Sequence, residues 1–132
     1  MADNALYFFN MREVTSLAAQ LGRRWVMVES CGGPGYQASF DLFKPLEDYL
    51  LALGTSVMDP HLAHQTLAGH GKYDFPQTLS DHSPWWAYYR PHAEHVARAN
   101  AALSQGVERA RVLLLHPTTS AWLHYTAPVF HF

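Results

Sequence analysis

Three short apolar runs, separated by segments of helical periodicity, constrain the fold of this chain more than any other feature. Arg24-Trp25-Val26-Met27-Val28-Glu29 is apolar, partly β-branched and bounded by glycines, the pattern of a buried strand. Residues 55–59 repeat that pattern more weakly before Pro60, and residues 110–115 repeat it strongly before His116-Pro117. The intervening segments read as helices. Val14, Leu17, Ala18 and Leu21 recur at helical spacing over residues 4–21, and Gly22 follows as a stop. Leu42, Leu46, Tyr49, Leu50 and Leu53 do the same over residues 41–53, before Gly54. Pro45 is tolerated only near a first turn, which predicts a later start for this second helix. Ser83-Pro84 offers a hydroxyl cap and a first-turn proline to a third helix. Its apolar face would be Trp85, Tyr89, Val96, Ala99 and Leu103. The order helix, strand, helix, strand, loop, helix, strand is that of an α/β fold with parallel strands and crossover helices. Three strands alone would leave both sheet edges open, so the pattern predicts a part of a larger fold.

Composition narrows the function classes. A chain of 132 residues, 48% hydrophobic and 15% charged, is expected to fold as a globular domain. A net charge of -2 gives no basic face for nucleic acid. No apolar stretch approaches the ~20 residues of a membrane span. No basic segment leads into an apolar run near Met1, so no signal peptide is expected on this chain. The single cysteine, Cys31, excludes an internal disulfide and argues against a cysteine-based zinc site. A lone small thiol beside a core strand is expected to be inert. Aromatic residues at 14% and nine histidines suit a site that stacks on sugar rings and hydrogen-bonds hydroxyls. Residues 61–83 form a loop long enough to predict a functional role.

An ordered set of motifs carries a resemblance. Glu29-Ser30-Cys31-Gly32-Gly33-Pro34-Gly35-Tyr36 is followed by Leu53-Gly54, Asp59-Pro60-His61-Leu62, Tyr73-Asp74-Phe75-Pro76 and Pro84-Trp85-Trp86. Tyr88-Tyr89-Arg90, Leu103-Ser104-Gln105-Gly106 and Val112-Leu113-Leu114-Leu115-His116-Pro117 complete the set. Over residues 12–123 the chain resembles glycosyl hydrolases of the α-L-rhamnosidase-like group. The resemblance implies a partial (β/α)8 (TIM) barrel: residues 25–29 as the seventh strand, 55–60 as the eighth and 84–105 as the last helix. Residues 1–109 would close the barrel, and residues 110–132 would open the following domain. A complete barrel of this kind takes ~250 residues, so the first six strands would lie outside this chain. The chain departs from the family at Asp59, where asparagine is usual, at Pro45 in the seventh helix, and in a tyrosine-poor loop after His64.

The resemblance implies a glycosidase acting on oligo- or polysaccharides, in a parent expected to be secreted or periplasmic, and no cofactor or metal is expected. Barrels place catalytic groups at the C-terminal strand ends. Glu29 there, partly desolvated, would serve as nucleophile or as water-activating base. The second carboxylic acid would come from an upstream strand, with Asp59 and Asp74 the only local substitutes. Tyr36, Asp59, His61, His64 and Trp86 would contact the sugar. Trp85 and Trp86 begin the last helix; Trp85, on the apolar stripe, belongs to the core, and His92 and His95 to packing or surface. The chain alone is expected to be inactive, its partner being the missing barrel portion or a second copy. His61 and His64 as metal ligands lack any supporting His-Glu-x-x-His or cysteine pair. One rival pattern stands apart: Gly33-Pro34-Gly35-Tyr36-Gln37-Ala38 fits a dinucleotide-binding turn after a strand. Against it stand the acidic Glu29, the absence of basic residues and a helical stripe that starts only near Leu42. A third reading is a non-catalytic piece that completes a larger assembly.

Overall fold

The computed structural model describes residues 3–73 and 75–124. Helix α1 (Asp3–Gln20) leads to strand β1 (Met27–Ser30), helix α2 (Phe40–Ala52) and strand β2 (Val57–Pro60). Two 3₁₀ turns, Gly69–Tyr73 and Trp86–Tyr88, precede helix α3 (Tyr89–Leu103), and a short helix α4 (Thr118–His124) ends the described chain. Strands β1 and β2 pair in parallel, with Met27 against Val57 and Glu29 against Asp59. The sheet is therefore a single βαβ unit, and α/β is the class. None of the described helices is long and apolar enough to cross a membrane.

The third strand is a correction. Residues 110–115 form no strand; Val112, Leu113, Leu114 and Leu115 carry no regular secondary structure and are between 75% and 84% exposed. Their hydrophobicity reads the same whether a strand is buried or waiting for a partner, and the chain offers them no pairing here. The run is nevertheless tethered at both ends to α1. Arg12 pairs with Glu108 before it, and His116 Nδ1 lies 3.2 Å from Glu13 Oε1 after it. The His116 ring also packs on Phe9 at 5.0 Å.

Helix boundaries follow local chemistry. Gly22, at φ +63°, closes α1. Arg23 N donates to Ala18 O at 2.8 Å and Gly22 N to Ala19 O at 3.2 Å, the paired bonds of a Schellman stop. The expected stripe of α1 is not buried: Val14, Leu17 and Leu21 face solvent, and only Thr15 on this part of the helix is buried. In α2 the start is earlier than Pro45 predicted. Leu42 N and Phe43 N both donate to Ser39 O at 3.0 Å, which sets the first turn ahead of the proline. Pro45 cannot donate to the carbonyl of Asp41, but both residues lie on the exposed face, where water can take that bond. The buried face of α2 is also rotated from the expected stripe. Phe43, Glu47, Leu50 and Leu51 point inward, whereas Leu42 and Tyr49 are exposed. In α3 the start is later than Ser83-Pro84 predicted. The Ser83 hydroxyl donates to Thr78 O across the loop, and the 3₁₀ turn Trp86–Tyr88, not α3, is the first helical turn after it.

The core sits beyond the C-terminal ends of the strands. Cys31, Ala38 and Phe43 form its centre, with Phe40, Leu46 and Trp85 packed around them. Trp85 meets Phe40 at 5.5 Å and Phe43 at 5.4 Å, edge to face in each case. Trp85 is thus a core residue, as its place on the stripe indicates. The long loop, apart from the 3₁₀ turn at Gly69–Tyr73, is ordered by hydrogen bonds that cross it. Gln77 Nε2 donates to Cys31 O at 2.7 Å, and Leu79 N to Leu62 O at 2.9 Å. Gln77 and Thr78 are almost wholly buried.

Candidate active site

Strand geometry places Glu29. Side chains alternate along β1: Val26 and Ser30 are buried, whereas Trp25 is 57% exposed, Met27 67% and the Glu29 side chain 69%. Trp25, Met27 and Glu29 therefore share a face of the sheet that no described element covers. The expected desolvation of Glu29 is not provided by the described residues, and the bare face is the reason. At the strand ends Glu29 stands register-paired with Asp59, so the two carboxylates project on one face of neighbouring parallel strands. His61, one step beyond β2, brings Nδ1 to 3.3 Å from Glu29 Oε1. Its own N–H donates to Ser30 O at 2.7 Å, which extends the parallel pairing and fixes the backbone that carries the ring. A Cβ on Gly32 would come within 3.3 Å of the His61 ring; glycine there leaves the ring its place.

A second group lies in the loops. Tyr36 and His64 stack at 6.0 Å with their rings 28° apart. His64 N donates to Thr78 Oγ1 at 2.9 Å. Gln77 joins this loop layer to the strand ends, since its amide reaches Cys31 O and, at 3.4 Å, His61 O. Trp86 stands with neither group. It is partly exposed and stacks on Tyr89 at 5.1 Å, 14° from parallel, so one face of its indole is occupied and no described contact joins it to Glu29. Asp74, the other local carboxylate considered, lies outside the described residues. Among those described, no three of His, Cys, Asp or Glu gather as a metal site would require. The βαβ unit that a dinucleotide turn needs is present. Helix α2, however, begins only at Phe40, well past Gly35, so its N-terminus is not offered at that glycine.

One polar cluster is not legible as a site in the sequence. Glu47 and His92 are buried against each other, Oε2 to Nε2 at 2.6 Å. Cys31 Sγ lies 4.0 Å from Glu47 Oε1. Burial raises the Glu47 carboxyl above its ordinary range, and His92 opposes the shift without cancelling it. Burial, and then the nearby Glu47, push the Cys31 thiol up to about 11, which keeps it protonated and unreactive at neutral pH. Beside this pair, His95 Nε2 lies 2.7 Å from Asp48 Oδ1. The two adjacent acids of α2 thus meet two histidines one turn apart on α3, and the double pair clips the helices together. The signal was an acid on a helix face flanked by Phe43, Leu50 and Leu51, with a histidine filling the gap between Tyr89 and Val96 in the stripe of α3.

Comparison with known protein families, with curated proteins and with solved structures finds no match for this chain.

Proposed function

We propose that this chain forms one wall of the sugar-cleaving cleft of a glycoside hydrolase barrel, with Glu29 as one of its two catalytic carboxylates. The observation that carries the reading is the Glu29, Asp59 and His61 group at the C-terminal end of parallel strands, on the face left uncovered. Catalytic groups of (β/α)8 barrels occupy that end. The uncovered face is the one that would look into a barrel, whereas Val26 and Ser30 point toward the packed interior. The ordered motifs that resemble the α-L-rhamnosidase-like group support the same assignment.

In this reading His61 orients the Glu29 carboxylate as nucleophile or water-activating base, and Asp59 accepts hydrogen bonds from sugar hydroxyls. Tyr36, with His64 behind it, supplies an apolar face for a pyranose ring, and Trp86 offers its free indole face at the rim. Protonation of the leaving oxygen needs a second carboxylic acid, which an upstream strand would provide. Water around Glu29 is not excluded here, so the chain alone is expected to bind sugar weakly and turn over nothing. The test is saturation-transfer NMR with a panel of monosaccharides and aryl glycosides. Binding that is lost in both Glu29→Ala and Tyr36→Ala, with no hydrolysis, is the expected result. No saturation transfer to any sugar would remove the proposal.

A further inference from the structure

The described chain carries both halves of a strand pairing that it does not make. One half is the outer edge of β1. The sheet has two strands, so the backbone groups on the far side of β1 meet no third strand among the described residues. Beside that edge lies the uncovered apolar face of Trp25 and Met27. The other half is the apolar run of Val112, Leu113, Leu114 and Leu115, free of helix and at least 75% exposed. The ion pairs of Arg12 with Glu108 and of His116 with Glu13 hold it at each end. A segment tethered at both ends has less freedom to lose on pairing.

From this we infer that the chain self-associates as a closed dimer by reciprocal strand addition. Residues 112–115 of each copy seat on the β1 edge of the other. The edge of β1 is the better acceptor of the two, because each of its residues carries an N–H, whereas β2 ends in Pro60, which has none. Charge selects the direction. In an antiparallel approach the N-terminal end of the run, with Arg109 and Arg111, meets the C-terminal end of β1, where Glu29 stands. A parallel approach would place those arginines beside Arg24 instead. The apolar surface of the run, added to that of Trp25 and Met27, is of the order of the ~800 Å² that each partner gives a stable interface. A two-fold pairing uses both edges and both runs once, so it closes without leaving a site for a third copy. The inference is independent of whether Glu29 acts on a sugar.

Sedimentation equilibrium on the full chain tests it, together with hydrogen exchange at the β1 amides. The expected species at ~100 µM is a dimer, twice the 14.9 kDa of the chain, with protection of the β1 amides that fades on dilution. The double variant Leu113→Glu/Leu115→Glu should weaken the dimer by at least about tenfold, and Met27→Glu, on the acceptor side, should do likewise. All three positions are exposed in the single copy, so each variant should keep the wild-type circular dichroism. Leu123→Glu, equally exposed on α4, should leave the dimer intact. A monomer at all concentrations overturns the inference. So does a dimer that survives both disruptive variants, or an assembly that grows without limit. Protection of β1 at every dilution would mean that the chain covers its own edge, which overturns it as well.

Discussion

Replacing His92 with alanine should destabilise the protein far more than loss of one imidazole suggests, and by an amount that depends on pH. In the native chain the Glu47 side chain is 3% exposed and that of His92 7%. His92 supplies the attraction that offsets burial of the Glu47 charge. Removing one member of a buried pair leaves the other charge uncompensated, at a cost of about 3–5 kcal/mol. The ring also packs on Phe40 at 5.4 Å, so part of that loss is contact area. The carboxyl can escape the charge penalty by taking a proton. Its folded value already lies above the ordinary 4.5, so the folded state binds more protons than the unfolded state as pH rises past that point. Stability contributed by Glu47 is therefore full below 4.5 and declines through the window between 4.5 and the raised value. Without His92 that window extends upward. Urea unfolding followed by circular dichroism should show a smaller loss for His92→Ala at pH 5 than at pH 8. The double variant Glu47→Leu/His92→Leu leaves no unpaired carboxylate in the core and should be more stable than His92→Ala at pH 8. A loss below about 1 kcal/mol that is identical at the two pH values would refute the reasoning, because a ΔΔG that small is typical of surface sites.

Two further outcomes follow from the geometry. The Cys31 thiol, buried and raised to about 11, should react with a disulfide reagent at pH 8 only on the timescale of unfolding, and rapidly in urea; fast labelling of the native chain would show that the Cys31 pocket is open. Gly22→Ala places a Cβ in open space but at φ +63°, so the loss should be about 1–2 kcal/mol from backbone strain alone; no change in the urea midpoint would mean that the α1 stop is not formed in solution.

The order of elements as far as α3 was legible because it rests on local signals, whereas the strand expected over residues 110–115 is not formed. Gly22 is a stop whatever packs on α1, and the apolar run before Glu29 is a strand in any α/β context. What escaped was set by tertiary pairing. The stripe over α2 was drawn from apolar residues, which assigns Glu47 to solvent; a histidine on another helix, 45 positions away, turns that face inward. Ser83-Pro84 has the composition of a helix start, but Thr78 claims the hydroxyl. The parallel register that sets Glu29 beside Asp59 depends on a crossover, and no single segment encodes it. His61 beside Glu29 follows from that register, whereas the stacking of Tyr36 on His64 depends on how the long loop folds back.

Exposure of Glu29 and exposure of Trp25 and Met27 have one physical origin. A strand face is buried only by what is laid on it, and β1 has packing on one side alone. The alternation from Val26 to Ser30 is that of a strand built for two different environments, since Trp25 and Met27 are costly to leave in water. Whatever covers those two side chains lies on the face that also carries Glu29, and it removes water from the carboxylate as it arrives. Burial of the apolar face and desolvation of the carboxylate are then the same event. If the Trp25 fluorescence of the native chain has the solvent-exposed maximum of the unfolded chain at low concentration and shifts to the blue as concentration rises, the face is being covered by a second copy. A maximum that is blue-shifted at every concentration would mean that the face is already covered within one chain, and the link between association and the state of Glu29 would be lost.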